Sequence, residues 1–223
     1  MYKKAIFSFI VLGFLASSCN KHEVIPAPEP KVDLFASFEG KIGGQFIQYT
    51  ENVNGYYGFS QLIAQATGGN VDAQYYFSLV SPSYSQSIKI GMGSLSWTTA
   101  TGTTTPALSL FNPFFVANDI PAYKNSALGG FEVQYRDVYN DLWVSKDTST
   151  FVKDVAFEPT SIIQESDKTG DYSKFKCDFN RTIYHTYSVV DITVVPQTTP
   201  PTMRDSFAHI KVEDAIYRGW FKR

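Results

Sequence analysis

The most restrictive feature of this chain is the segment YSKFKCDFNRTIYH, residues 172–185, in which apolar and polar side chains alternate. Phe175, Cys177, Phe179 and Ile183 fall on one side of an extended backbone, with Lys174, Lys176, Asp178, Asn180 and Thr182 between them. Successive side chains of a strand point to opposite faces, so the pattern specifies a strand with one face buried and one in water. A helix would scatter the same apolar residues around its circumference. The alternation recurs at Tyr75, Phe77 and Leu79, at Ile88, Ile90 and Met92, at Leu142 and Val144, at Val155 and Phe157, and at Ala208, Ile210 and Val212. Turn chemistry separates the runs: NVNG at 52–55, TGGN at 67–70, NSALGG at 125–130 and DKTGD at 167–171.

No apolar pattern of helical period lasts three turns, and about ten to twelve strands fit the chain. Strands at this spacing without intervening helices pair antiparallel. The expected fold is all-β, a single antiparallel β-sandwich over residues 33–223, with an up-and-down or partly open β-barrel as the alternative. TTATGTTTP, residues 98–106, has the composition of a flexible loop, and FNPFFVAND, 111–119, suits one short helix or a crossing segment. AIYRGWFKR at 215–223 has the form of a closing strand. No internal repeat of fixed period occurs, which excludes a propeller or solenoid.

With 43% hydrophobic and 16% aromatic residues, the chain carries enough apolar surface to offset the entropy of ordering it. Its formal net charge is −2, and no basic block follows the first four residues. A nucleic-acid partner is therefore excluded, because the electrostatic footprint that phosphate binding needs is missing.

The N-terminus carries a different kind of information. Lys3 and Lys4 precede an apolar run over 5–16 and the small pair Ser17 and Ser18, the pattern of a signal peptide, too short to span a bilayer comfortably. The run Leu15-Ala16-Ser17-Ser18-Cys19 resembles the lipobox of bacterial lipoproteins, departing from it at Ala16, where that family more often has Leu, Val or Ile. The resemblance implies a signal peptide at 1–18, cleavage before Cys19, a diacylglyceryl thioether on Cys19 and a further palmitate-type acyl chain on the new N-terminus. Several chains on one residue make the anchor effectively permanent, since each buried methylene contributes about 0.8 kcal/mol. The mature chain then has 17 basic and 21 acidic residues, 17 − 21 = −4, once Lys3 and Lys4 are removed. A mildly acidic domain is tethered beside anionic lipid and not adsorbed on it. Residues 19–32 form the lipidated Cys and a tether whose VIPAPEPK favours extended polyproline geometry. Asn20 after the Cys implies sorting to the outer membrane, and Lys21, His22 and Glu23 resemble the charged export tags of surface-displayed lipoproteins.

Catalytic and metal signatures are sparse. Lipidation of Cys19 leaves Cys177 alone on the inward face of its strand, where it is expected as a small buried hydrophobe. His185 and His209 are isolated in sequence, and no nucleophile elbow, CxxC or HExxH spacing occurs. Glu165, Asp167 and Asp171, and likewise Asp137, Asn140 and Asp141, sit where turns need Asp, Asn and Gly, although such oxygens could also hold calcium. No metal or cofactor is expected, and no catalytic residue is identified.

The one excess is aromatic. Tyr56 and Tyr57 follow a turn, Tyr75 and Tyr76 are adjacent so that Tyr76 is expected to face outward, Trp97 borders the flexible loop, and Trp143 alternates away from Leu142 and Val144. Flat rings on an exposed sheet or loop suit sugar faces and partner proteins, which makes Tyr56, Tyr57, Tyr76, Trp97 and Trp143 the candidate ligand-binding residues. Aromatic residues also pack well on pleated surfaces, so each of these rings has a structural alternative.

The opening FEGKIGGQF, the late strand FKCDFNRTIYH and the terminal AIYRGWF make residues 33–223 similar to the small all-β domains of outer-membrane lipoproteins. That resemblance implies a lipid-anchored envelope module, non-catalytic, with a structural role or one in recognising a partner protein or glycan. A glycan-active or other hydrolytic enzyme is the first alternative, and a β-barrel carrier of a small apolar ligand the second.

Overall fold

The computed structural model describes residues 29–99, 103–117, 130–146, 158–193 and 199–223. The expected signal peptide, Cys19, the tether up to residue 28, the expected strand at Val155 and Phe157 and most of the turn at 125–130 lie outside the described residues. Residues 31–223 form one unit. Its elements are β1 (Ser37–Ile42), β2 (Gln45–Thr50), β3 (Tyr57–Thr67), β4 (Asn70–Val80), β5 (Ser87–Thr98), α1 (Leu108–Ala117), β6 (Gly130–Arg136), β7 (Leu142–Ser145), β8 (Glu158–Asp167), β9 (Gly170–Val190) and β10 (Met203–Lys222).

All strands pair antiparallel in one sheet of order β2-β1-β10-β9-β7-β6-β5-β4-β3, with β8 joined to β9. The 21-residue β9 and 20-residue β10 explain how one sheet makes a core. The first half of β9 pairs with β8 and the second half with β7, while the second half of β10 pairs with β1. A bulge in β10 between Val212 and Ala215, with Asp214 at φ 51°, bends the ribbon between these halves. The sheet therefore curls into an open half-barrel whose two arms face each other.

The arms meet through aromatic rings. Phe77 of β4 lies with ring centroids 5.7 Å from Phe175, 5.7 Å from Tyr217 and 4.7 Å from Trp220. Tyr75 reaches Phe221, Phe131 reaches Phe179, and the Tyr217 hydroxyl donates to the Ile88 carbonyl at 3.0 Å. Two glycines permit this approach: a Cβ on Gly58 would collide with the Trp220 ring and lie 2.9 Å from Phe77 Cζ, and one on Gly219 would enter the Phe77 ring. The described part of the segment 111–119 lies in the helix α1. Phe111, Phe114 and Phe115 share a face of α1 and pack on Tyr75, and Phe115 stacks on Phe221 at 4.9 Å.

The all-β expectation holds, and the partly open barrel describes the chain where the two-sheet sandwich does not: among the described residues there is a single sheet. Two local expectations are corrected. In β7 the inward residues are Trp143 and Ser145, because Trp143 is opposite Tyr135 and Ser145 is opposite Ile183; Leu142 and Val144 take the other face. Tyr76 does leave the core face of β4, yet it is buried, its ring lying on Gly91 of the next strand.

Candidate functional site

Three connections gather at one end of the half-barrel: 51–56 between β2 and β3, 81–86 between β4 and β5, and 137–141 between β6 and β7. Hydrogen bonds lace them together. Ser81 Oγ donates to the Asn54 carbonyl at 3.0 Å, and Ser85 Oγ donates to the carbonyls of Asp137 and Val138 at 3.0 and 3.1 Å. Asn52, Asn54, Gly55 and Asn140 have positive φ, the backbone state that Asn and Gly adopt most cheaply, which is why these residues make the tight turns. Asp137 organises its own turn, with Oδ1 accepting from the backbone N–H of Tyr139 and Asp141 at 2.9 Å each. Its Oδ2 accepts from Trp143 Nε1 at 3.0 Å, so the carboxylate is committed to protein donors.

The laced loops carry exposed apolar side chains at their tips. Tyr139 is 82% and Tyr84 50% exposed, with Val53, Tyr57 and Val138 also exposed beside them. Charge is confined to the bases of the connections, at Glu51, Asp137 and Asp141, where Glu51 accepts from the Ala36 N–H at 2.9 Å; none occurs in 52–56, 81–86 or 138–140, where Asn, Ser, Gly and Tyr dominate. Beneath them runs a file of tyrosines. Tyr49 stacks on Tyr56 with centroids 4.5 Å apart, and the rings of Tyr56 and Tyr84 are parallel within 1° at 6.3 Å. Tyr56 donates to the Gln86 carbonyl at 3.2 Å, and burial pushes the phenols of Tyr49, Tyr56 and Tyr135 upward, which keeps them neutral. Tyr56 thus supports the exposed rings from below, while Tyr57 reaches solvent itself.

A second aromatic file starts at Trp143. His185 lies 5.4 Å from its ring, with Nδ1 3.1 Å from the Leu142 carbonyl, and Tyr187, 42% exposed, follows at 6.2 Å and 16° from His185. The partner strand places Ala208 opposite His185 and Ser206 opposite Tyr187, small residues that cover little of the rings. Asp137 links this file to the loop end through the Trp143 indole.

The other two candidates stand apart. Trp97 is ten residues along β5 from the loop end at Ser87, roughly 33 Å at strand rise, and packs its partly buried ring on the core. Tyr76 is held on the convex face, donating to Gln74 Oε1 at 2.7 Å beneath Lys89 Nζ, 4.6 Å from its ring centre; burial pushes its phenol up to about 12. Of the five predicted residues the structure gathers Tyr56, Tyr57 and Trp143. It adds Tyr84, Tyr139, His185 and Tyr187. The sequence signal for Tyr84 and Tyr139 is an aromatic residue inside a Ser- or Asn-rich turn, SPSYSQ and DVYND, where no buried face exists to receive it.

The titratable groups have structural partners. Cys177 is fully buried, and desolvation raises its thiol well above the ordinary range, the state of a packed hydrophobe. Around DKTGD, Asp167 accepts from the Val32 N–H at 2.8 Å and from Thr169, Glu165 pairs with Lys174 at 2.8 Å, and Asp171 pairs with Arg223. No cluster of three metal-ligating side chains occurs among the described residues. A shallow pocket of about 330 Å³ at the β10 bulge mixes Lys41, Arg181 and Lys211 with Glu213 and Asp214, and Lys41 is already paired with Asp214 at 2.9 Å. No described helix is long and apolar enough to cross a membrane.

Comparison with protein-family models, curated proteins and solved structures finds no match to the chain.

Proposed function

We propose that this chain is a lipid-anchored outer-membrane protein whose β domain is non-catalytic and recognises a partner protein or glycan through its loop end. The observation that carries the reading is the group of exposed rings Tyr84, Tyr139 and, at the start of β3, Tyr57, on connections that hydrogen bonds from 81–86 tie together. Tyrosine offers large contact area with few rotatable bonds, and Ser and Asn supply adaptable donors and acceptors. Loops already pinned to one another lose little entropy on binding. The lipobox-like run at 15–19 and the Pro-rich segment at 24–31 support a domain held away from a membrane surface. The rings that fill the space between the arms direct attention to the surface in place of an interior ligand cavity.

The test uses the full chain, probed against a glycan array and against envelope extracts, beside the double variant Tyr84→Ala and Tyr139→Ala. Both side chains are exposed, so the variant should keep its unfolding midpoint while losing at least tenfold in affinity for whatever the wild type retains. Retention unchanged by the double substitution would overturn the assignment of the loop end.

A further inference from the structure

The sheet leaves β3 at one margin, and the free stretch of that strand lacks the usual protection of an edge. Its first half is closed off: Trp220 lies over Gly58, and the Lys222 N–H donates to Ser60 Oγ at 2.9 Å. Residues 61–67 have no strand on the side away from β4 among the described residues. Edge strands are normally blunted by charge, Pro, a bulge or shortness. β3 spans 11 residues in unbroken register with β4, and no charged residue or Pro occurs between Asn52 and Val71. Its outward face shows Phe59, Gln61, Ile63 and Gln65, with Phe59 50% and Ile63 39% exposed.

We infer that this margin is a homodimer interface, in which two copies of the chain pair antiparallel through residues 61–65 about a two-fold axis at Ile63. That axis sets Ile63 against Ile63, and Gln61 against Gln65 of the copy. Apolar side chains meet apolar ones, and amides meet amides that can exchange hydrogen bonds. Leu62 faces Ala64 of the copy on the concave side. The free stretch carries no charge that would select a foreign strand, whereas a copy brings the matching side-chain set and no like-charge opposition. The pairing is isologous, so it closes at two chains. The margin at β2 has only six residues, and that at β8 carries Glu165 and Asp167, which a copy would repel.

The experiment is sedimentation velocity on the full chain in density-matched detergent, for the wild type, Ile63→Lys, and Phe46→Lys at the β2 margin. The wild type and Phe46→Lys are expected at twice the chain mass, and Ile63→Lys at the chain mass with an unchanged far-UV spectrum. Register is read by cross-linking in a Cys19→Ala background, with oxidised glutathione as oxidant. Residues directly opposite in an antiparallel pair have Cα atoms about 4.5–5.5 Å apart, within disulfide reach. Ile63→Cys should give a cross-linked dimer, Gln61→Cys alone should not, and Gln61→Cys with Gln65→Cys should. A wild type that sediments as a monomer at every concentration overturns the inference. So does a dimer that survives Ile63→Lys, or a self-cross-link at Gln61→Cys in place of Ile63→Cys.

Discussion

If the half-barrel closes through Phe77 entering the space above Gly219, substitutions at these two positions must be coupled, although they lie on opposite arms. Phe77 is fully buried among Phe175, Tyr217 and Trp220. Truncating such a ring to Ala costs about 3–5 kcal/mol, from lost transfer energy and the cavity left behind. In a domain of this size each kcal/mol moves the melting temperature by about 2–4 °C, so Phe77→Ala should lower it by roughly 6–20 °C. Gly219→Ala acts in the opposite sense, because its new methyl would collide with the Phe77 ring, whose Cζ lies 2.8 Å from that position. Overpacking of this kind costs about 1–3 kcal/mol, offset by about 0.4–1 kcal/mol from the reduced freedom of the unfolded chain. In the double variant the methyl enters space that the ring has vacated. Its total cost should fall slightly below that of Phe77→Ala alone, because the overpacking is relieved while the unfolded-state gain remains, leaving a coupling of about 1–3 kcal/mol. Urea unfolding followed by tryptophan fluorescence reads the cycle, since Trp220 packs on Phe77. Single-variant costs that add within about 0.5 kcal/mol would show that the arms do not meet at this point.

Other expectations are more local. Cys19→Ala should convert a membrane-associated chain into one that partitions into the aqueous phase, and continued detergent-dependent partitioning would refute lipid anchoring at that residue. Protease added to intact cells should remove the domain if it is displayed at the surface, whereas survival of the domain would indicate the periplasmic side. Asp167 has its carboxyl held down at about 2, from 3.8, by Thr169 and by the Val32 N–H. A depressed carboxylate contributes stability above its unfolded value that is lost as pH falls through the folded one. Wild-type stability should therefore decline between about pH 4 and 2 more steeply than that of Asp167→Asn; equal slopes would remove Asp167 from this role.

Much of the architecture was legible because alternation is a local property. Phe175, Cys177, Phe179 and Ile183, and Ile88, Ile90 and Met92, sit on the buried face as their spacing requires. The segment FNPFFVAND suited a short helix or a crossing segment, and the structure decides for the helix. Alternation says which residues share a face and not which face turns inward, and β7 illustrates the gap. With four residues its orientation depends on register against Tyr135 and Ile183, and that register brings Trp143 inward against the apparent signal of Leu142 and Val144. Tyr76 is concealed for a similar reason, since Gly91, which receives its ring, is 15 positions away and becomes a neighbour only through β4–β5 pairing. The site was partly visible. Tyr56, Tyr57 and Trp143 stood out by position, but their grouping with Tyr84, Tyr139 and Tyr187 required two hairpin ends to meet the connection from β2 to β3, strands at opposite ends of the sheet order.

The sequence alone determined an antiparallel, all-β chain with a buried aromatic face and Asn-, Asp- and Gly-built turns, because side-chain period and turn chemistry act over a few residues. Whether that chain made two sheets or one was decided by long-range geometry. Strands β9 and β10 are long enough to serve both arms, a bulge at 213–214 bends them, and glycines at 58 and 219 let rings from opposite arms interpenetrate. Each of these effects depends on residues far apart in the chain, which no local pattern records.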